Sequence, residues 1–176
     1  MATEFETKVL DINPEEIEDK LLKLGAQKTP EKLMRRWVFN INPKTHEWIR
    51  LRGDGKKITL CYKKREDRKI DGTNEIEIEI NDFDAAAKIL KQLKFFGIYY
   101  QENKRTSFRL NKIEFCLDSW PQIPTHLEIE STNEAGVKEG LKLLGLEDKE
   151  VGNISVVLVY KKHGIDLHDH SELKFS

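Results

Sequence analysis

The sequence predicts an α+β fold dominated by an antiparallel sheet, with helices covering its apolar side. Three observations predict it. Strict alternation of apolar and charged residues recurs along the chain, most clearly from Asn74 to Ile80, and successive side chains of a strand point to opposite faces. Other segments carry apolar residues at helical spacing and are followed by a glycine, as helices often are. Strand-like segments come in consecutive sets between helices rather than alternating one for one with them, which favours antiparallel pairing.

The elements follow in order. Glu4 to Leu10 alternates and predicts a strand. Asn13-Pro14 gives a helix start, with a polar cap and proline in the first turn. Ile17, Leu21, Leu22 and Leu24 form its apolar face, and Gly25 ends it. Leu33 to Ile41 is a second strand, followed by a turn at Asn42-Pro43. Glu47 to Arg52 and Lys57 to Lys64 predict a hairpin across Gly53-Asp54-Gly55, a strong turn signal. Arg65 to Gly72 reads as a charged loop and Asn74 to Ile80 as a strand. Asp82 caps a helix running through Leu93 and closing at Gly97,. Strands follow at Ile98 to Leu110 and Ile113 to Asp118, joined tightly at Asn111-Lys112. Pro121 and Pro124 are expected to break the chain before a strand from Thr125 to Glu130. A helix spans Asn133 to Leu144 and ends at Gly145. Asn153 to His163 predicts a last helix, with Val156 to Tyr160 also compatible with a strand. The tail with His168 and His170 reads as solvated and mobile.

The 176 residues predict a single domain, 1–176, with a sizeable core,. Thirty basic and 31 acidic residues nearly cancel, to a net charge of −1. That balance argues against nucleic-acid binding through a global positive field. No apolar run approaches the ~20 residues of a membrane span. The N-terminus Met-Ala-Thr-Glu carries no basic region and no apolar signal core,. Cys61 and Cys116 form no framework or CxxC site and are expected to be buried thiols,. Together these predict a cytoplasmic protein.

The charged strand faces are segregated by sign. Glu4, Glu6 and Lys8 share one face; Arg50 and Arg52 share another; Lys63 follows Thr59 and Cys61; Glu75, Glu77 and Glu79 share a fourth; Glu128 and Glu130 share a fifth. One such strand alone is ordinarily the wet side of a sheet. If the sheet curls closed, the same faces line a lumen, where charges are costly unless they pair or hold a ligand. A polyphosphate with divalent ions matches both signs. Arginine forks suit phosphate oxygens, and carboxylate clusters suit Mg²⁺ or Mn²⁺.

These residues resemble the CYTH superfamily, the triphosphate tunnel metalloenzymes, whose members include class IV adenylyl cyclases, thiamine triphosphatases and inorganic triphosphatases. The resemblance starts from the ExExK pattern at Glu4, Glu6 and Lys8. It continues in order through Arg50-Leu51-Arg52, Lys63, Glu77 and Glu79, Lys104-Arg105, Cys116-Leu117-Asp118 and His126-Leu127-Glu128-Ile129-Glu130. It implies an eight-stranded antiparallel closed β-barrel, a tunnel with helices packed outside. It implies phosphate-binding roles for Lys8, Arg36, Arg50, Arg52, Lys63 and Arg105. Metal ligands would be Glu4, Glu6, Asp118, Glu128 and Glu130, with Mg²⁺ or Mn²⁺ as cofactor. Lys8, Glu4 and Glu6 would be catalytic, and Glu77 and Glu79 would line the tunnel wall. Asn103 stands where members often carry lysine.

The implied activity is metal-dependent hydrolysis of a triphosphate: inorganic triphosphate, thiamine triphosphate or a nucleoside triphosphate. Cyclisation of ATP to cyclic AMP and pyrophosphate would use the same residues. A non-catalytic polyanion-binding module would keep the basic wall and lose the carboxylates, which are present. The expected partner is a small-molecule triphosphate, with no nucleic acid and no membrane, and a homodimer stays open as the assembly.

Overall fold

The computed structural model describes the backbone of residues 2–42, 44–66 and 73–176, and side chains within those ranges from residue 5 onward. Strand β1 (Ala2–Val9) leads into helix α1 (Pro14–Lys23). Asn13 caps α1 by accepting from the backbone N–H groups of Glu15 and Glu16, which satisfies donors that no helical turn precedes. Gly25 follows with φ +83°, the left-handed conformation that ends helices cheaply,.

The short β2 (Gln27–Lys28) precedes β3 (Lys32–Asn42), β4 (Glu47–Gly53), β5 (Ile58–Arg65) and β6 (Thr73–Ile80). Asp54 organises the β4–β5 turn by accepting from the N–H groups of Lys56 and Lys57 at 3.0 and 2.7 Å. Of the turn expected at Asn42-Pro43, Pro43 lies outside the described residues, as do 67–72 of the charged loop. Next come α2 (Phe83–Lys91), β7 (Gly97–Leu110), β8 (Ile113–Trp120), β9 (Ile123–Ser131), α3 (Glu134–Leu144), α4 (Val156–Lys162) and β10 (Glu172–Leu173).

The strands form a sheet in the order β10-β7-β3-β4-β5-β6-β1-β9-β8. Every pairing among the described residues is antiparallel except that of β10 with β7. β7 is 14 residues long and works twice. Its Gly97–Arg105 stretch pairs with β3, and its Lys104–Leu110 stretch pairs with β8.

One face of the sheet is apolar. Phe83, Ala87 and Leu90 of α2 pack there on Phe39 and Leu51. Val137, Leu141 and Leu144 of α3, with Ile17 and Leu21 of α1, pack on Val9, Phe115, Leu127 and Ile129. Val159 and Tyr160 of α4 pack on Leu10, Trp120 and Ile123, and Tyr160 Oη donates to the Pro121 carbonyl at 2.6 Å. Each large apolar side chain buried this way contributes roughly 1.5–3 kcal/mol. The opposite face is charged yet also largely buried: Lys8, Arg36, Lys63, Asp118 and Glu128 are all under a tenth exposed. Because the helices occupy the apolar face, the sheet itself wraps around its charged one. The result is an α+β fold, a large antiparallel sheet curled into a half-barrel, with four α-helices among the described residues.

Three expectations change. α2 ends at Lys91, and Gly97 opens β7 instead of capping the helix. A Cβ at Gly97 would lie 2.6 Å from the Tyr99 ring, so the glycine serves a close approach. Pro121 does not break the sheet: it sits in a two-residue turn with Gln122 at φ +67°, and Pro124 lies inside β9. Pro124 falls beyond the β1 ladder, beside an irregularity in the β8 pairing, where its missing N–H costs little,. The last helix is present as expected, over residues 156–162 and capped by Ser155, and the strand alternative is excluded. The tail is docked: Leu167 and Leu173 are 2% exposed, and Glu172 and Leu173 pair with Tyr100 and Gln101.

Candidate functional site

Strand periodicity places the expected site residues together. On β1, Glu6 and Lys8 are two apart and face inward; Glu4 lies on the same strand opposite Thr73, its side chain outside the described residues. On β9, His126, Glu128 and Glu130 share one period,. Register then aligns rows across strands. Glu6, Glu130 and Glu114 form one, Lys8, Glu128 and Cys116 the next, and His126 stands opposite Asp118 and Asp118 opposite Arg105. Arg36 stands opposite Arg52, and Arg50 opposite Cys61, itself opposite Glu77.

Two charge clusters result. In the first, Lys8 Nζ lies 3.1 Å from Glu6 and 2.9 Å from Glu128. Arg105 donates to Asp118 through Nε at 2.8 Å and through its terminal nitrogen at 2.5 Å, and that terminal nitrogen also reaches Glu128 at 2.8 Å. Asn103 donates to Asp118 at 2.8 Å and accepts from Arg36. Burial works against the Lys8 charge, but Glu128 and Glu6 outweigh it and hold its pKa above the ordinary lysine value. Burial likewise opposes the Glu128 charge, and Lys8 and Arg105 overcome it, so its pKa lies well below the carboxylate norm. Arg105 stays firmly charged against burial because Asp118 and Glu128 face it. Arg105, not Lys104, therefore points inward; Lys104 lies over the Phe175 ring.

The second cluster is short of negative charge. Arg50 and Arg52 share Glu77, at 3.5 and 3.9 Å. Arg36 forms no ion pair among the described residues and lies over the Trp120 ring at 4.7 Å. Burial and repulsion from Arg50, Arg52 and Arg105 push its pKa well below the arginine norm. Repulsion from Arg50, then burial and Arg105, lowers that of Arg52 to about 10. The Nε atoms of Arg36 and Arg50 are buried without a hydrogen-bond partner. Lys63 pairs with Glu75 at 3.3 Å. Glu79, expected in the wall with Glu77, is exposed and paired with Lys57.

Some inward residues had no role in the sequence reading. Asn103 is fully buried between the two clusters. Glu114 continues the row at its outer end, where its partly exposed side chain lies 3.8 Å from Arg109. Cys61 and Glu75, with the wall residue Glu77, bring three donor atoms within 4.8 Å of one another; burial pushes the Cys61 thiol up to about 12. His126 is 2% exposed, with Nδ1 unpartnered and its pKa lowered mainly by burial. The alternation that found Glu128 and Glu130 also carries His126, but one histidine has no spacing signature.

The family model described as "CYTH domain" matches residues 2–152. No curated protein matches the chain. Among solved structures, the PH1012 protein of Pyrococcus horikoshii is similar at TM-score 0.72 and 25% identity, covering 84% of this chain and 93% of that one. A candidate adenylate cyclase of Vibrio parahaemolyticus gives TM-score 0.72 at 13% identity, with coverage of 91% and 98%. A candidate adenylyl cyclase of Hippeastrum, described as having a dominant triphosphatase activity, gives 0.60 at 16%, with coverage of 97% and 100%. The last two likenesses are of fold.

Proposed function

Since the chain belongs to the CYTH domain family, we propose that it is a divalent-metal-dependent phosphohydrolase whose substrate is a triphosphate: inorganic triphosphate, thiamine triphosphate or a nucleoside triphosphate. One observation carries the reading. Arg36, Arg50, Arg52 and Arg105 are gathered on a buried face, they repel one another, and Arg36 and Arg50 keep buried donors without partners. A solvated sheet face has no reason to collect such groups, whereas a polyanion supplies the missing charge and acceptors. The proposal includes closure of the sheet into an eight-stranded tunnel, supported by the pairing of β7 with both β3 and β8.

The carboxylates of the first cluster are oxygen donors of the kind a hard divalent ion takes, although among the described residues the set that brings three donor atoms within 4.8 Å of one another is Cys61, Glu75 and Glu77,. Each oxygen of Glu128 accepts one hydrogen bond, as does Asp118 Oδ2, so each retains a lone pair. Glu4, Glu6 and Glu130 complete the carboxylates assigned to Mg²⁺ or Mn²⁺. Such an ion, when bound, would offset phosphate charge and acidify a water.

The chain's own groups do the rest. Arg36, Arg50, Arg52 and Arg105, with Lys63, grip phosphate oxygens and fix the substrate's register along the sheet. Glu77 restrains Arg50 and Arg52. Lys8 is an ammonium at neutral pH, so it cannot take a proton from the nucleophile. Two of its three donors are directed at Glu6 and Glu128; the third can orient the attacking water or a phosphate oxygen. Stabilising charge that develops on the transferring phosphoryl group is the main contribution such a site makes. Cyclisation of ATP would use the same grip and would also require a seat for adenine and ribose.

Calorimetry with tripolyphosphate and Mg²⁺ tests the binding step. Saturable binding that weakens with salt is expected. No binding at millimolar concentration would overturn the reading.

A further inference from the structure

We propose that Asn103 is a positioning residue for anion binding: its amide keeps Arg36 from pairing with Asp118, so that the guanidinium stays available to a polyphosphate. The inference rests on the function proposed above, because it adds a residue to that site. Asn103 lies on β7 opposite Met34 of β3, one residue beyond the last rung that β7 shares with β8, at Lys104. Its side chain is fully buried and reaches both charge clusters from the point where β7 passes from one neighbouring strand to the other. Nδ2 donates to Asp118 Oδ1 at 2.8 Å, and Oδ1 accepts from Arg36. A carboxylate only accepts and a guanidinium only donates, so a single orientation of the amide satisfies both.

The two groups at the ends of the amide are held unequally. Arg105 also donates to both oxygens of Asp118. Arg36 has no ion pair among the described residues, lies over the Trp120 ring, and keeps Nε buried without a partner. The Asp118 charge acts on Arg36, and one amide separates them. Opposite charges attract strongly where water is excluded, and a long arginine side chain can close so short a gap. A carboxylate at position 103 would cancel the charge of Arg36, and a small apolar residue would leave it to Asp118. The asparagine amide is neutral. It fixes the guanidinium through a hydrogen bond and leaves the charge uncompensated until an anion arrives. The Trp120 ring restrains one face of the guanidinium, and Nε remains as a donor for an incoming oxygen.

A double-mutant cycle on the intact protein tests this, with the Kd for tripolyphosphate and Mg²⁺ read by calorimetry. Asn103→Ala should weaken binding about 10-fold, the scale of a hydrogen bond to a charged group. Arg36→Met should weaken it at least as much. In the Arg36→Met background, Asn103→Ala should add less than about 2-fold, because its effect runs through Arg36. A residue that only supports the fold would weaken binding equally in both backgrounds. Asn103→Ser serves in the same cycle if the alanine variant does not fold. Unfolding of both, with Arg36→Met folded, assigns Asn103 to the fold alone and overturns the proposal. So does unchanged affinity in Asn103→Ala or in Arg36→Met, or an equal loss in the two backgrounds; these results leave the triphosphate reading standing. Failure of the wild type to bind tripolyphosphate overturns that reading and this one together.

Discussion

Replacing Arg52 with methionine removes one charge from the buried arginine cluster while keeping much of the side chain's length. In the folded chain Arg50, burial and Arg105 together lower the Arg52 pKa from 12.5 to about 10. That fall corresponds to about 3 kcal/mol of unfavourable charging, at ~1.4 kcal/mol per pKa unit. The group is charged in both states at pH 7 and its folded pKa is the lower one. Its charge therefore destabilises the fold throughout the pH range below about 10,. The net shift already includes the attraction of Glu77, and solvent screening reduces the expected gain to about 1–2 kcal/mol,. At ~2–4 °C per kcal/mol for a chain of this size, the ligand-free variant should melt roughly 2–8 °C above the wild type. The ligand response should move the other way. Tripolyphosphate at ~100 times its Kd stabilises the wild type by about 2.7 kcal/mol, and Arg52→Met should lose most of that at the same concentration. Thermal unfolding at pH 7, with and without tripolyphosphate and Mg²⁺, reads both effects. A variant that melts several degrees lower without ligand, yet keeps the full ligand shift, would refute the idea that this cluster sacrifices stability for an anion.

Glu130→Gln should lower turnover of the preferred triphosphate by ~100-fold or more while leaving the melting temperature within a few degrees, as loss of a charge-stabilising group does elsewhere; near-normal turnover would remove Glu130 from the metal set. Because Lys8 and Arg105 hold the Glu128 pKa down against burial, the stability it confers is present above about pH 4.5 and is lost as the pH falls through its lower folded value,. Urea midpoints should therefore drop below that pH, and Glu128→Gln should flatten the acid limb; an equally steep limb in the variant would locate the acid sensitivity elsewhere. Gly140 of α3 lets the helix approach β9, where a Cβ would lie 2.7 Å from Ile129 Cγ2. Gly140→Val should cost about 1–3 kcal/mol through overpacking, and an unchanged melting temperature would show that α3 can shift freely.

The sheet was legible wherever period and punctuation agreed. Asn74 to Ile80 alternates, and Gly53-Asp54-Gly55 turns, because a half-buried strand and a tight turn each demand particular residues. Gly97 misled because glycine serves a close approach as readily as a helix end; here the Tyr99 ring decides. The docking of the tail was not readable: β10 has two residues, too few for any period, and Leu173 is buried by partners distant in sequence. The same logic applies at the site. Glu6, Lys8, Glu128 and Glu130 announce themselves by alternation in pairs. Asn103 matters only through what the fold sets at the two ends of its amide, Arg36 and Asp118.

Product analysis on the wild-type protein tests the central claim most directly. Tripolyphosphate, thiamine triphosphate and ATP are each incubated with Mg²⁺ or Mn²⁺, and phosphate, pyrophosphate and cyclic AMP are resolved. The account predicts release of phosphate from at least one of the three without cyclic AMP. Cyclic AMP with pyrophosphate from ATP, or no turnover of any of them, would contradict it.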